Sequence, residues 1–496
     1  MKKAGLILFA VSPLLIWSLF YLTTDLWYDE VYSFEHFVIK PWSTTFLDYA
    51  LPNNHIAHNA LLQLISRVFG LRGEFDFAEY VWVFRSFELL LSLATGWLVY
   101  KIARIKMPEV PAWLPVFILF SSVLFLNFSL QIRGYMLSTF LLSLTYYLQL
   151  LWEVKKKDFL LLAMAFCIAI LLYAIPSNAY AVASLGMLWL IQVIKKTRAG
   201  GKLELKLGLA IGLGLTLAFL AYLPILDQVL HNDFSEAKPR HPFSVFKFIL
   251  IWFQSAISSR FILIPAWVIA SYVLTKQKRL GKYREWLLLI LLPFVFAFLH
   301  QSRPFGRVFM PLVPFFALYS ALALHVSWRQ LKKFHSTFAY LTLLSLYFGL
   351  VSEISMLRTA TLPALVEHDD VKQDLYRNYY LDAEFQPQRD IERAKESGYP
   401  IIATDLIDWP THNLYLRKAG LDVPRLDSTW YELVLDTSKG PCILLTSVPN
   451  RKIRQLKAQD YEGLLLQKHF SMTNSLLVYP QKAENADPSR QTEAPE

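Results

Sequence analysis

The sequence predicts an α-helical polytopic membrane protein with about eleven transmembrane helices and a small C-terminal α/β domain. Three observations carry that expectation. Of 496 residues, 55% are hydrophobic and only 18% charged, whereas an average soluble domain is roughly 25% charged. Apolar runs of transmembrane length, near 20 residues, recur up to about residue 353. Lysine and arginine gather in alternate loops between those runs. Two cysteines and the high apolarity exclude a secreted disulfide scaffold and a disordered chain.

The expected spans are about 5–24, 82–101, 112–132, 134–152, 158–174, 178–194, 207–226, 260–275, 286–300, 307–325 and 336–353. Lys2 and Lys3 precede the first, as in a signal peptide. Asp25-Leu26-Trp27 is no small-residue cleavage site, so the span is read as uncleaved. Basic clusters follow at Lys101/Arg104/Lys106, Lys155–Lys157, Lys195–Lys206, Lys276–Arg284 and Arg329/Lys332/Lys333. They fall at the amino terminus and after every second span, which sets an N-inside orientation in the plasma (inner) membrane with the C-terminal domain extracytoplasmic. The net charge of +10 then has a topogenic cause, and no nucleic-acid partner is expected.

On the other side the first loop, 25–81, is acid-rich. Within it Ile56–Phe69 reads as an amphipathic helix lying on the membrane, with Leu61, Leu62, Ile65, Val68 and Phe69 as its apolar side. A second outer loop spans 227–259. Domain boundaries are expected at 1–353 for the membrane part, 354–480 for the α/β domain and 481–496 for a disordered tail. Pro400–Thr404 and Pro441–Thr446 read as buried strands, Leu414–Ala419 and Ile453–Gln459 as helices, and Leu464–Tyr479 as a hairpin. Cys167 falls in a span and Cys442 in the outer domain, so neither a disulfide nor a cysteine metal site is expected.

The middle third of every expected span lacks Asp, Glu, Lys and Arg, which argues against an ion-coupled transporter or a channel. Charges collect instead at the non-cytoplasmic span ends. Asp29 and Glu30 follow span one, and Arg85 and Glu88 open span two. Arg133 and Tyr135 lie between spans three and four, Tyr173, Asn178 and Tyr180 between five and six, and His300, Arg303 and Arg307 between nine and ten. Arginine forks match phosphate geometry, and a carboxylate beside them could act as general base on an acceptor hydroxyl. The set fits transfer of a group from a lipid phosphate at headgroup depth.

At these residues the chain resembles a known family. Asp25-Leu26-Trp27-Tyr28-Asp29-Glu30 resembles the Asp-Glu motif opening the first outer loop of GT-C glycosyltransferases, the polyprenyl-phosphate-sugar-dependent enzymes. These include protein O-mannosyltransferases and the lipid A aminoarabinose transferase. Gln131–Leu137 is similar to the family's Arg-x-Tyr segment, and Arg303–Pro314 to its late double-proline segment. Where many relatives carry Pro-Pro in the first loop, this chain has Pro52-Asn53-Asn54-His55-Ile56-Ala57-His58, similar to an Asn-His variant of bacterial members.

The resemblance covers residues 1–353 and implies a GT-C-like fold and inverting transfer of a hexosyl or pentosyl group, with Asp29 as catalytic base and Glu30 orienting a substrate or a basic neighbour. Arg133, Arg303 and Arg307 would hold the lipid phosphate. His55, His58, Arg85 and Tyr135 are further substrate-binding candidates. The implied partners are membrane lipid, a lipid-linked sugar donor and a lipid, glycan or protein acceptor.

Plainer readings stand beside these. Asp29 and Glu30 also fit a helix N-cap and first-turn acid, the arginines fit snorkelling anchors, and the tyrosines fit an aromatic belt. His55 and His58 also fit the polar face of an interfacial helix. No obligatory cofactor or metal is expected, although Asp29, Glu30 and one histidine could hold a divalent ion. Rival functions are a lipid-linked-sugar flippase, a non-catalytic scaffold for glycan assembly and a ligase using pyrophosphate-linked donors.

Overall fold

The computed structural model describes residues 3–49, 54–198, 205–231, 260–300, 306–334, 387–396, 398–403, 409–423, 442–446 and 474–478. The chain divides into two compact units, residues 1–24 with 32–383, and residues 25–31 with 384–496. The sequence places one boundary near 353. It gives no sign that the segment 25–31 belongs with the C-terminal residues.

The first unit is a helical membrane domain. Its helices are α1 (Lys3–Tyr21), α3 (Trp42–Leu47), α4 (Ile56–Val68), α5 (Asp76–Glu79), α6 (Val81–Lys106), α7 (Trp113–Phe120), α8 (Val123–Phe128), α9 (Gly134–Lys155), α10 (Phe159–Ala174), α11 (Ala179–Arg198), α12 (Leu205–Tyr222), α13 (Leu226–Leu230), α14 (Arg260–Lys276), α15 (Leu280–Leu299) and α16 (Val313–Phe334). The short helix α2 (Tyr28–Ser33) runs from the second unit into the first. Among the described residues, five stretches are long and apolar enough to cross a membrane: Ala4–Tyr21, Val81–Lys106, Pro176–Lys195, Leu205–Leu230 and Gly306–Gln330. Phe159–Ala174 and Leu263–Lys276 are shorter apolar helices. The expected span 336–353 and the outer loop 232–259 lie outside the described residues.

Packing follows the bilayer's logic. α9 and α12 flank α10, α6 packs on α9, α1 on α7, and α14 on α16. Large apolar side chains face outward, among them Leu19, Leu90, Phe166, Leu209 and Leu299, an arrangement suited to lipid and costly in water. The interior is more polar than its surroundings: Ser92, Thr95, Ser138, Ser143 and Asn178 are buried. Asn178 Nδ2 donates to Ser138 Oγ at 2.9 Å and to Leu171 O at 2.8 Å. Buried amides and hydroxyls in hydrocarbon need such partners.

The third expected span is not continuous. It breaks into α7 and α8 at Ser121-Ser122, where Ser122 Oγ accepts from Phe125 N as the cap of α8. Beyond α8 the chain turns through Ser129–Arg133, with Arg133 N donating to Gln131 O at 2.7 Å. Apolarity alone could not reveal this break, because serine is tolerated within membrane helices when its hydroxyl bonds to backbone.

In the second unit, β1 (Ile401–Ala403) pairs parallel with β2 (Cys442–Thr446), and β2 pairs antiparallel with β3 (Asn474–Val478), in the order β1-β2-β3. The expected strands at 400–404 and 441–446 agree with β1 and β2. Helices α17 (Pro387–Glu396) and α18 (Trp409–Lys418) pack together. The expected helix 453–459, the first half of the expected hairpin and the tail lie outside the described residues.

Candidate active site

Helix α4 turns its polar side inward. His58, Asn59, Gln63 and Ser66 are buried, whereas Leu64, Val68 and Phe69 are exposed. The expected apolar stripe is therefore only partly on the outside, since Leu62 is buried. In water this helix would be inverted; against lipid it gives apolar cover outside and hydrogen-bonding groups inside. Arg67 lies over the Trp42 ring at 4.6 Å, a cation–π contact suited to an interfacial anchor.

The inward side meets the start of α9. Arg133 has extended backbone (φ −145°, ψ 152°) and precedes the first helical residue, Gly134. His55 Nδ1 accepts from Gly134 N at 2.9 Å, a closer contact than the 3.3 Å between Nε2 and Arg133, so the proton of the neutral ring is assigned to Nε2. A Cβ on residue 134 would lie 3.0 Å from that same Nδ1 and 3.2 Å from the His55 Cβ, so glycine is what allows the imidazole to reach the backbone amide.

His55 Nε2 lies 3.3 Å from a terminal nitrogen of Arg133, whose other terminal nitrogen donates to Ser33 Oγ at 2.5 Å. Burial, then Arg133, His58 and Arg307 in turn, hold the His55 imidazole well below its usual pKa. The ring is neutral at physiological pH, and its Nε2–H stands beside a guanidinium. An acceptor lying beside the pair and within reach of both N–H groups would be stabilised by them.

Tyr135 completes the wall. It meets the His55 ring edge-on at 5.1 Å and the Phe128 ring at 5.4 Å, and the Arg307 guanidinium sits 5.7 Å over its face. Arg307 comes from the 3₁₀ segment Gly306–Leu312, which also brings Phe309 against Tyr180 and Phe294. Tyr180 OH and His300 Nδ1 are 3.0 Å apart. From the first loop, Tyr49 is buried, and its phenol is held far above its usual pKa by burial and then by Tyr135.

Other expected site residues have different surroundings. Both terminal nitrogens of Arg85 donate to backbone, to Leu130 O at 3.0 Å and Thr24 O at 3.1 Å, so this arginine ties α6 to two neighbouring segments. His58 Nε2 and Glu88 Oε1 share a fully buried hydrogen bond of 2.5 Å between α4 and α6. Arg85 and His58, both expected at the substrate, thus also join neighbouring segments of the helical domain. Arg303 lies outside the described residues.

Asp29 and Glu30 stand in the first turn of α2. Glu30 is fully buried and its Oε2 accepts from Trp27 N at 3.2 Å. That is the return half of a capping box, closing the helix start. Asp29 is buried too, at 7% exposure, and lies four residues before Ser33 on the same helix. Among the described residues, no cluster of three or more His, Cys, Asp and Glu side chains forms a metal site.

Sequence reasoning missed Ser33 and Gly134. A serine in an acidic loop carries no signal. The glycine does carry one, since it opens a long helix directly after an arginine, where glycine is otherwise a poor choice.

At the far end of the same helices a second network forms. Lys106 pairs with Glu285, Arg279 Nη2 donates to Glu109 Oε1 at 2.7 Å, and Tyr283 OH donates to Glu109 at 2.7 Å. Arg85 and Lys106 are 21 residues apart on α6, or about 32 Å, close to one hydrocarbon thickness.

No protein-family model and no curated protein sequence matches the chain. Solved structures do. ArnT from Cupriavidus metallidurans in the apo state aligns with TM-score 0.53 and 14% identity, over 96% of this chain and 98% of that one. ArnT from the same organism bound to undecaprenyl phosphate aligns with TM-score 0.54 and 13% identity, over the same shares of each chain. The fold is GT-C-like. The GT-C-like arrangement extends over nearly the whole chain, and it makes the protein an integral membrane protein by fold as well as by composition.

Proposed function

We propose that the protein is an inverting glycosyltransferase that moves a sugar from a polyprenyl phosphate to a lipid, glycan or protein hydroxyl at the extracytoplasmic face of the inner membrane. The observation that carries this reading is the convergence of Arg133, Arg307 and the Nε2–H of a neutral His55. Two fixed positive charges and a neutral donor suit a phosphate monoester, and the apolar outer faces suit its polyprenyl chain. The GT-C-like fold supports the same donor class, since the related ArnT structure holds undecaprenyl phosphate.

In this reading Asp29 takes the proton from the acceptor hydroxyl. The acceptor oxygen forms its bond to the anomeric carbon as the bond from that carbon to the phosphate oxygen breaks. The electron pair leaves with the polyprenyl phosphate, whose charge Arg133, Arg307 and Arg303 stabilise. His55 and Tyr135 shape the phosphate pocket, and Glu30 holds the helix that carries Asp29 in place. The donor proposed is a polyprenyl-phosphate-linked sugar, with no metal required.

The test uses purified protein in nanodiscs with undecaprenyl-phosphate-linked sugars. Asp29→Asn should retain undecaprenyl phosphate binding, read by native mass spectrometry, and lose transfer by roughly 10²–10⁴-fold. Arg133→Ala should lose the lipid instead. Full transfer by folded Asp29→Asn would remove Asp29 as the base. Movement of intact donor across the bilayer, without loss of its sugar, would point to a flippase.

A further inference from the structure

The segment that carries the acid motif is built into the C-terminal unit. Residues 25–31 cluster with residues 384–496, and two hydrogen bonds make the attachment concrete. Leu26 N donates to Tyr415 OH at 2.9 Å across 389 residues of sequence. Gln388 N donates to Asp25 Oδ2 at 2.8 Å, which puts the Asp25 carboxylate on the N-terminus of the ten-residue helix α17 as its cap. Leu26, Trp27 and Tyr415 are almost fully buried.

Immediately downstream, Trp27 N bonds to Glu30 Oε2 and Val31 N to Trp27 O at 2.9 Å. The anchorage therefore passes without a gap from Tyr415 and Asp25 into the first turn of α2, where Asp29 sits.

We propose that the C-terminal unit is a positioning element for Asp29, with Tyr415 and the α17 N-terminus as the groups that hold the acid motif. The inference rests on Asp29 acting as the base in the transfer proposed above. The physical reason is short: α2 has six residues, far below the 12–15 at which an isolated helix becomes even marginal, so its geometry must be imposed from outside. The segment before it is tied through the Asp25 carboxylate and the Leu26 amide, and both ties come from residues beyond 384.

The test separates anchorage from activity in the full-length protein. Hydrogen–deuterium exchange of peptides covering 26–31 should rise in Tyr415→Phe, with peptides covering 54–60 and 134–140 unchanged. Gln388→Pro removes the amide donor in a helical turn that tolerates proline, and should act likewise. Gln388→Ala keeps that amide and serves as control for the side chain's own bonds to Glu392 and Lys418.

In transfer assays with an undecaprenyl-phosphate-linked sugar, Tyr415→Phe and Gln388→Pro should lower kcat by roughly ten- to a hundredfold with KM for the donor unchanged. Unchanged exchange at 26–31 in both variants overturns the proposal, as does raised exchange with undiminished kcat. Absence of transfer in the wild type, with raised exchange in the variants, would sink the glycosyltransferase reading and leave the anchorage standing.

Discussion

His55 is a histidine that works by staying neutral. Burial and the charge of Arg133 hold its folded pKa well below the unfolded value near 6.5. As pH falls below 6.5 the unfolded chain takes up this proton first, so the stability His55 contributes is complete above 6.5 and declines below it. Thermal unfolding in nanodiscs at pH 7.5 and 5.0 checks the sign. The wild type should lose more than His55→Gln, which has nothing to titrate there, and equal losses would show that the ring charges freely in the folded protein. The motif Asn-His in the first loop pointed to this residue. The tautomer did not follow from it, because it depends on Gly134 N, 79 residues away in sequence.

At the scale of elements, α4 was legible as a helix and misleading as to which side faces in. Its period marks two faces, but period alone does not say what solvent lies on either side. The sequence reading laid its apolar side on the membrane, where the 73% exposure of Val68 agrees with it, and its histidines in the wet interface, whereas His58, Asn59 and Gln63 are buried. A consequence follows for Leu64 and Val68. On a soluble helix, charging such exposed positions is close to neutral, within about 0.5 kcal/mol. Here Leu64→Glu and Val68→Glu should each destabilise the protein in nanodiscs by about 1–2 kcal/mol, less than the 2.5–3.5 of a charge at the bilayer centre. Unchanged unfolding temperatures would mean that this face meets water. The break between α7 and α8 was illegible for a related reason, since Ser121 and Ser122 keep the run apolar enough to read as one span.

For the whole molecule, the uneven distribution of charge proved the most readable feature. Basic residues at one end of α6 and the arginine–histidine group at the other lie about one bilayer apart, as alternate loops implied. The assignment of those ends to the two sides of the membrane remains a proposal with a direct check. In a chain carrying Cys167→Ala and Cys442→Ala, an impermeant maleimide applied to intact cells should label Arg417→Cys and spare Lys157→Cys. The reverse pattern would invert the topology. What could not be read was the membership of residues 25–31 in the C-terminal unit. Hydropathy sees only that a span has ended, and the partners of Asp25 and Leu26 lie more than 360 residues away.

That separation has a bearing on biosynthesis. The acid motif leaves the ribosome early, while Tyr415 follows 389 residues later, which at bacterial and eukaryotic elongation rates of roughly 5–20 residues per second is a delay of about 20–80 s. During that interval the nascent chain can insert its helices, yet Asp29, the proposed base, lacks the anchorage that Tyr415 and Gln388 give its segment. A chain released early, by a stop codon or a protease, would be inserted and inert. On the proposed role of Asp29, competence thus arrives only once Tyr415 and the start of α17 have been made.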